Sequence, residues 1–189
     1  DLYHFDERLR QAAWRAVSRL EVGLRADTGY VLGEFDPYMH LTVEEQWPSG
    51  AMARRARGFV SRMEKNQARS SEDFVRHYEK VRQLVTLFSL APFDQRRAIA
   101  DLYGARADEL ESWMRTSNYV RNLCAHHARL WNRQLVVRPL TKHRRGDTGL
   151  GPALGNASRP YSALALIAFL LRRGGFDDEI SDLKAALAS

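Results

Sequence analysis

The stretch YVRNLCAHHARLWNR, residues 119–133, governs how the rest of the chain is read. It holds two adjacent histidines, an Arg-Asn pair and the only cysteine of the sequence. On a helical wheel, at about 100° per residue, Val120, Leu123, Cys124, Leu130 and Trp131 gather on one side, and Trp113 joins them. The other side carries Arg115, Asn118, Arg121, Asn122, Ala125, His126, Arg129, Asn132 and Arg133. The pattern predicts one long amphipathic helix over about 107–133.

The wheel separates the two histidines. His126 falls on the polar side, one turn after Asn122, where residues four apart are neighbours. His127 points to the apolar side, beside Val120 and Trp131, and reads as a core histidine. Cys124 faces the core as a small hydrophobe. Cys124, His126 and His127 point in different directions, so they do not form a metal site, and no metal or cofactor is expected. Arg121 and His126 lie about 140° apart on the wheel, with Ala125 leaving a small gap between them. An ordinary solvated face would explain the arginines. It explains less well two asparagines, mediocre helix formers, in line with a histidine.

The other segments also carry helical periods. Leu9, Ala13, Val17, Leu20 and Leu24 predict a helix over 6–32, with Asp6 as its N-cap. Residues 33–50, with Pro37, Pro48 and Gly50, read as a loop. A basic helix follows over 51–68, then helices over 70–81 and 82–90, and one over 94–104 closed by Gly104. Residues 134–140 read as extended, and 141–160 as a Gly-rich basic loop with little means to pack. Two last helices, over 160–173 and 177–188, are split by Gly174 and Gly175. No repeat and no long strand alternation is present, so the predicted class is all-α, as a single domain over 1–189.

A chain of 189 residues is long enough to bury a core, and 44% hydrophobic residues suit a globular protein. One cysteine excludes an internal disulfide framework and fits a reducing, cytoplasmic setting. The chain opens on charged residues, without a signal-peptide pattern. Its longest apolar run, YSALALIAFLL (161–171), is shorter than the roughly 18–20 residues that span a bilayer. A soluble protein with no membrane contact is expected. The net charge is +6, and of 29 Lys and Arg only four are Lys. That bias fits a GC-rich coding sequence, and equally a polyanionic partner, because the guanidinium fork grips phosphate bidentately.

The extended string SNYVRNLCAHHARLWNR (117–133) resembles the signature of the Abi-like (AbiD/AbiF-type) bacteriophage abortive-infection proteins of the HEPN superfamily. The superfamily's mark, Arg followed by four residues and His, falls here on Arg121-Asn122-Leu123-Cys124-Ala125-His126. The resemblance extends through LYHFDERLRQAAWRAVSRLEVGLR (2–25), FVRHYEK (74–80) and RRAIADLYGARADELESWMR (96–115). A bare Arg-x4-His match is common by chance; the string through Trp131, Asn132 and Arg133 is far more specific. Two departures stand out. The family's Gly-Tyr-Tyr-Arg-like N-terminal portion is absent, and a longer stretch that members carry between HYEKV and RQLVTLF is missing near residue 81.

The resemblance implies a HEPN-like helical bundle with additional helices and a basic Gly-rich loop, and a metal-independent endoribonuclease. The residue types suit that chemistry: histidine serves as base or acid near neutral pH, and arginine stays charged against non-bridging phosphate oxygens. Arg121, Asn122 and His126 are the expected catalytic set. Asn118, Arg129, Arg133, Lys142, Arg144 and Arg145 are candidate RNA contacts, as is the RRAR run at 54–57. The family also implies a homodimer that pairs two such motifs, phage defence, and a toxin–antitoxin arrangement with a structured antitoxin RNA. Two other readings stay open: an RNA-binding module without cleavage, and a protein-interaction module.

Overall fold

The computed structural model describes residues 1–69, 80–142 and 150–188. Its elements are α1 (Leu2–Phe35), α2 (Met39–Thr42), α3 (Gly50–Arg69), α4 (Lys80–Leu90), α5 (Phe93–Leu102), α6 (Ala107–Ala125), a 3-10 turn at Pro152–Leu154, α7 (Pro160–Arg173) and α8 (Asp177–Ala188). No strand occurs among the described residues, and the fold is all-α. None of the described helices is long and apolar enough to cross a membrane. The chain divides into two compact units, one of residues 1–24 and 100–189, the other of 25–99.

In the first unit, Leu9, Ala13, Val17 and Leu20 of α1 are buried, as the period of the sequence requires. Trp113 of α6 is wholly buried, packs edge-on against Phe169 of α7 and donates its indole N–H to the Leu140 carbonyl at 2.9 Å. The Ser112 hydroxyl accepts the Leu140 N–H at 2.9 Å, so the segment after the site is laced to α6 without forming a strand. Leu166, Ile167 and Leu170 of α7 and Ile180 and Leu183 of α8 complete this core. Pro160 opens α7, where its missing N–H costs nothing. Leu150 and Leu154 are buried, so residues 150–154 of the expected loop do pack. In the second unit, Ala53, Ala56 and Phe59 of α3 and Leu84, Val85 and Phe88 of α4 are buried. The Trp47 indole N–H donates to the Leu90 carbonyl at 3.0 Å.

Three expectations are corrected. α1 starts at Leu2, so Asp6 lies inside the helix and caps nothing. The predicted loop over 33–50 contains α2, where Asp36 accepts the Tyr38 N–H and the Thr42 hydroxyl. The helix expected over 107–133 stops at Ala125, and α1 is longer. Most of the segment expected as a helix over 70–81 lies outside the described residues.

Candidate active site at the end of α6

α6 ends in a Schellman motif. The Ala128 N–H reaches back to the Leu123 carbonyl at 2.9 Å and the His127 N–H to the Cys124 carbonyl at 3.1 Å. His126 is thus the C-cap, and His127 takes the next position with a left-handed φ of +52°. The same motif ends α5 around Gly104 (φ +60°) and α7 around Gly175 (φ +75°). At those two ends a glycine supplies the left-handed turn without steric cost. At α6 a histidine does it. Both imidazoles are exposed, so the reading of His127 as a core residue is overturned. The turn rotates it off the apolar stripe that a continued helix would have given it.

The chain beyond the turn is pinned by a carboxylate that stands 124 residues before Leu130 in sequence. Asp6 is buried; its Oδ1 accepts the backbone N–H groups of Leu130 and Trp131, and its Oδ2 accepts Arg10 Nε at 3.1 Å. Leu130 is fully buried, whereas Trp131 is 43% exposed and packs edge-on against Phe5, with ring centroids 5.0 Å apart. Trp131 was expected in the core. It lies instead beyond the helix end, on a segment that Asp6 holds. Asn132 is also left-handed, with φ +51°, and its Oδ1 accepts Arg159 Nη1 at 3.0 Å.

Arg121 keeps its place on the wheel within α6, yet its side chain is not solvated. Its side chain is only 12% exposed, and its Nε lies 3.3 Å from Oε1 of Glu21, itself 11% exposed. The guanidinium sits over the Trp14 ring at 5.3 Å, a cation–π contact. Nη1 lies 3.4 Å from Oδ1 of the exposed Asn122. Asn122 therefore turns toward Arg121, and its backbone carbonyl accepts the His126 N–H at 3.0 Å. Glu21 and Asp6 were missed as site residues, yet a signal was present. Both fall on the apolar stripe of α1, among Leu9, Val17, Leu20 and Leu24, where a carboxylate must find a partner.

The remaining candidates divide. Asn118 is half-buried on α6 one turn before Asn122. Arg129 is exposed, and its carbonyl accepts Nη1 of the half-buried Arg133 at 3.3 Å. Lys142 sits at the far end of the helix, with Nζ 3.7 Å from Asp108. Asp108 precedes His126 by about 27 Å of helix at 1.5 Å per residue, so Lys142 and His126 belong to different places. Arg144 and Arg145 lie outside the described residues. In the RRAR run, Arg54 and Arg57 are exposed and Ala56 is buried, the ordinary pattern of a solvated helix face.

Cys124 is buried, and that burial pushes its thiol up to about 12. Arg10 nearby pulls in the opposite direction and Asp6 adds to the rise. The thiol stays protonated and is no nucleophile at neutral pH. Among the described residues no group of three or more His, Cys, Asp or Glu stands together as a metal site.

A family model described as Abi-like protein matches residues 1–132, which takes in α1 through α6 and the turn with both histidines. No curated protein and no solved structure matches the chain.

Proposed function

The chain belongs to the Abi-like protein family, which supports a role in phage abortive infection, and on that premise we propose that it is a metal-independent HEPN-type endoribonuclease. The observation that carries the reading is a fixed cation and an exposed imidazole five residues apart in sequence near one helix end. Arg121 is held against Glu21 and Trp14, and the His126 ring lies open to solvent. His126 takes or gives the proton at the reacting oxygen, and Arg121 offsets charge on the phosphorane. Asn122, beside Arg121, orients the guanidinium or a phosphate oxygen. Asn118, Arg129 and Arg133 bind the RNA strand or hold a second copy. Pairing of two copies across a two-fold axis would set two Arg121 and two His126 at one cleft. The resemblance to AbiF-type proteins extends the reading to a toxin restrained by a structured RNA.

The test is cleavage of end-labelled RNA in EDTA by the wild-type chain and by His126→Ala. His126 is exposed at a helix cap, so the variant keeps its fold. The expected loss is about 10²–10⁴-fold. One observation favours a second reading, RNA binding without cleavage: the Arg121 charge already faces the Glu21 carboxylate, which a phosphate must displace or outcompete. In that case wild type and His126→Ala bind RNA alike and neither cuts it.

A further inference from the structure

We propose that His127 is a second catalytic imidazole of the same site, so that each chain carries both an acid and a base. The inference rests on the ribonuclease reading above and deepens it. Three observations converge on the residue. Its φ of +52° is one that L side chains rarely adopt, at a helix end built like those where this chain uses Gly104 and Gly175. Its ring is exposed, so burial does not account for the side chain. Among the described residues no hydrogen bond, ion pair or ring contact uses the imidazole. Among the described residues the fold thus keeps a costly side chain that makes none of these interactions, as happens where a group serves function.

The neighbouring Cα atoms of His126 and His127 are about 3.8 Å apart across a trans peptide. Both rings project from one turn whose position is fixed downstream by Asp6 through Leu130 and Trp131. RNA cleavage by its own 2′-hydroxyl needs two proton transfers. One imidazole, neutral, takes the 2′-hydroxyl proton while the 2′-oxygen forms its bond to phosphorus. The bond from phosphorus to the 5′-oxygen breaks, and the other imidazole, entering protonated, gives its proton to that oxygen. The products are a 2′,3′-cyclic phosphate and a 5′-hydroxyl. The two rings leave with their protonation states exchanged, and proton exchange with water resets them. His126 and His127 together supply both transfers from one chain.

The experiment uses the full chain on a labelled single-stranded RNA in EDTA, comparing wild type, His126→Ala, His127→Gly and His127→Asn. Glycine and asparagine both accept the left-handed turn, and a Tm at or above that of wild type certifies the His127→Gly fold. The expected result is a fall in kcat of about 10²–10⁴-fold in both His127 variants with KM nearly unchanged. Free imidazole should then restore part of the His127→Gly rate. If kcat stays at the wild-type value while His126→Ala is inactive, the second imidazole is refuted and the ribonuclease reading survives. A rise in KM alone refutes it equally, because His127 would then only hold RNA. A wild-type chain that does not cut RNA overturns both readings together.

Discussion

His127 occupies the position that Gly104 and Gly175 occupy in the other two Schellman ends, and the comparison turns its backbone into a measurable quantity. A left-handed L residue costs roughly 1–2 kcal/mol relative to glycine, partly offset by the freedom glycine loses on folding. His127→Gly is therefore expected to raise stability by about 0.5–1 kcal/mol, read as a higher midpoint in urea with unchanged slope. Nothing at residues 126–128 announced this end in sequence. The usual marker, a glycine, is missing, so the apolar period carried the predicted helix on to residue 133. Cys124, three residues earlier, was legible because burial follows from its place on the stripe. With its thiol pushed up to about 12, it stays protonated and shielded at pH 8. Labelling by an alkylating reagent at that pH should proceed only as fast as the protein opens, and immediate labelling of the native chain would contradict the burial.

At the scale of the element, α1 does more than present an apolar face. Its stripe carries Asp6 and Glu21, and each meets a cation: Arg10 one turn along the same helix, and Arg121 across on α6. The α7 and α8 boundaries could be read from Pro160, Gly174 and Gly175, whose effects are local. The partner of Glu21 could not be read, because it stands 100 residues away and the wheel treats each helix alone. Removing one member of a buried pair leaves the other charge uncompensated, at a cost of about 3–5 kcal/mol. Glu21→Ala and Arg121→Ala should each fall in that range, and the double variant should lose clearly less than their sum. Additive losses in urea unfolding would mean that the two side chains do not interact. Arg121→Ala thus removes a structural contact together with the proposed phosphate ligand.

At the scale of the whole molecule, the family match ends at residue 132, yet the first unit also draws on α7 and α8 beyond it. Phe176, between those two helices, lies against Gly23 of α1, where an added Cβ would stand 2.7 Å from its ring. Arg19 covers the same ring at 4.4 Å and reaches Glu179 at 3.6 Å. Gly23→Ala should thus cost about 1–3 kcal/mol through overpacking, seen as a lower Tm, although alanine is the better helix former. A neutral or raised Tm would show that Phe176 does not hold this place. The all-α class and most helix boundaries followed from periodicity and punctuation. The candidate site did not follow as completely, because the partners of its two carboxylates stand 100 residues or more along the chain and its terminating turn lacks the glycine that marks such ends.

The proposed mechanism cuts RNA by attack of its own 2′-hydroxyl at the end of α6. It is tested most directly with a labelled RNA bearing a single 2′-deoxy nucleotide on the 5′ side of the bond that the wild-type chain cleaves, incubated in EDTA. The expected result is no cleavage at that bond, with other sites in the strand cut as before and ending in 2′,3′-cyclic phosphate. Cleavage at the deoxy position at the wild-type rate would contradict it, and with it the roles given to His126 and His127.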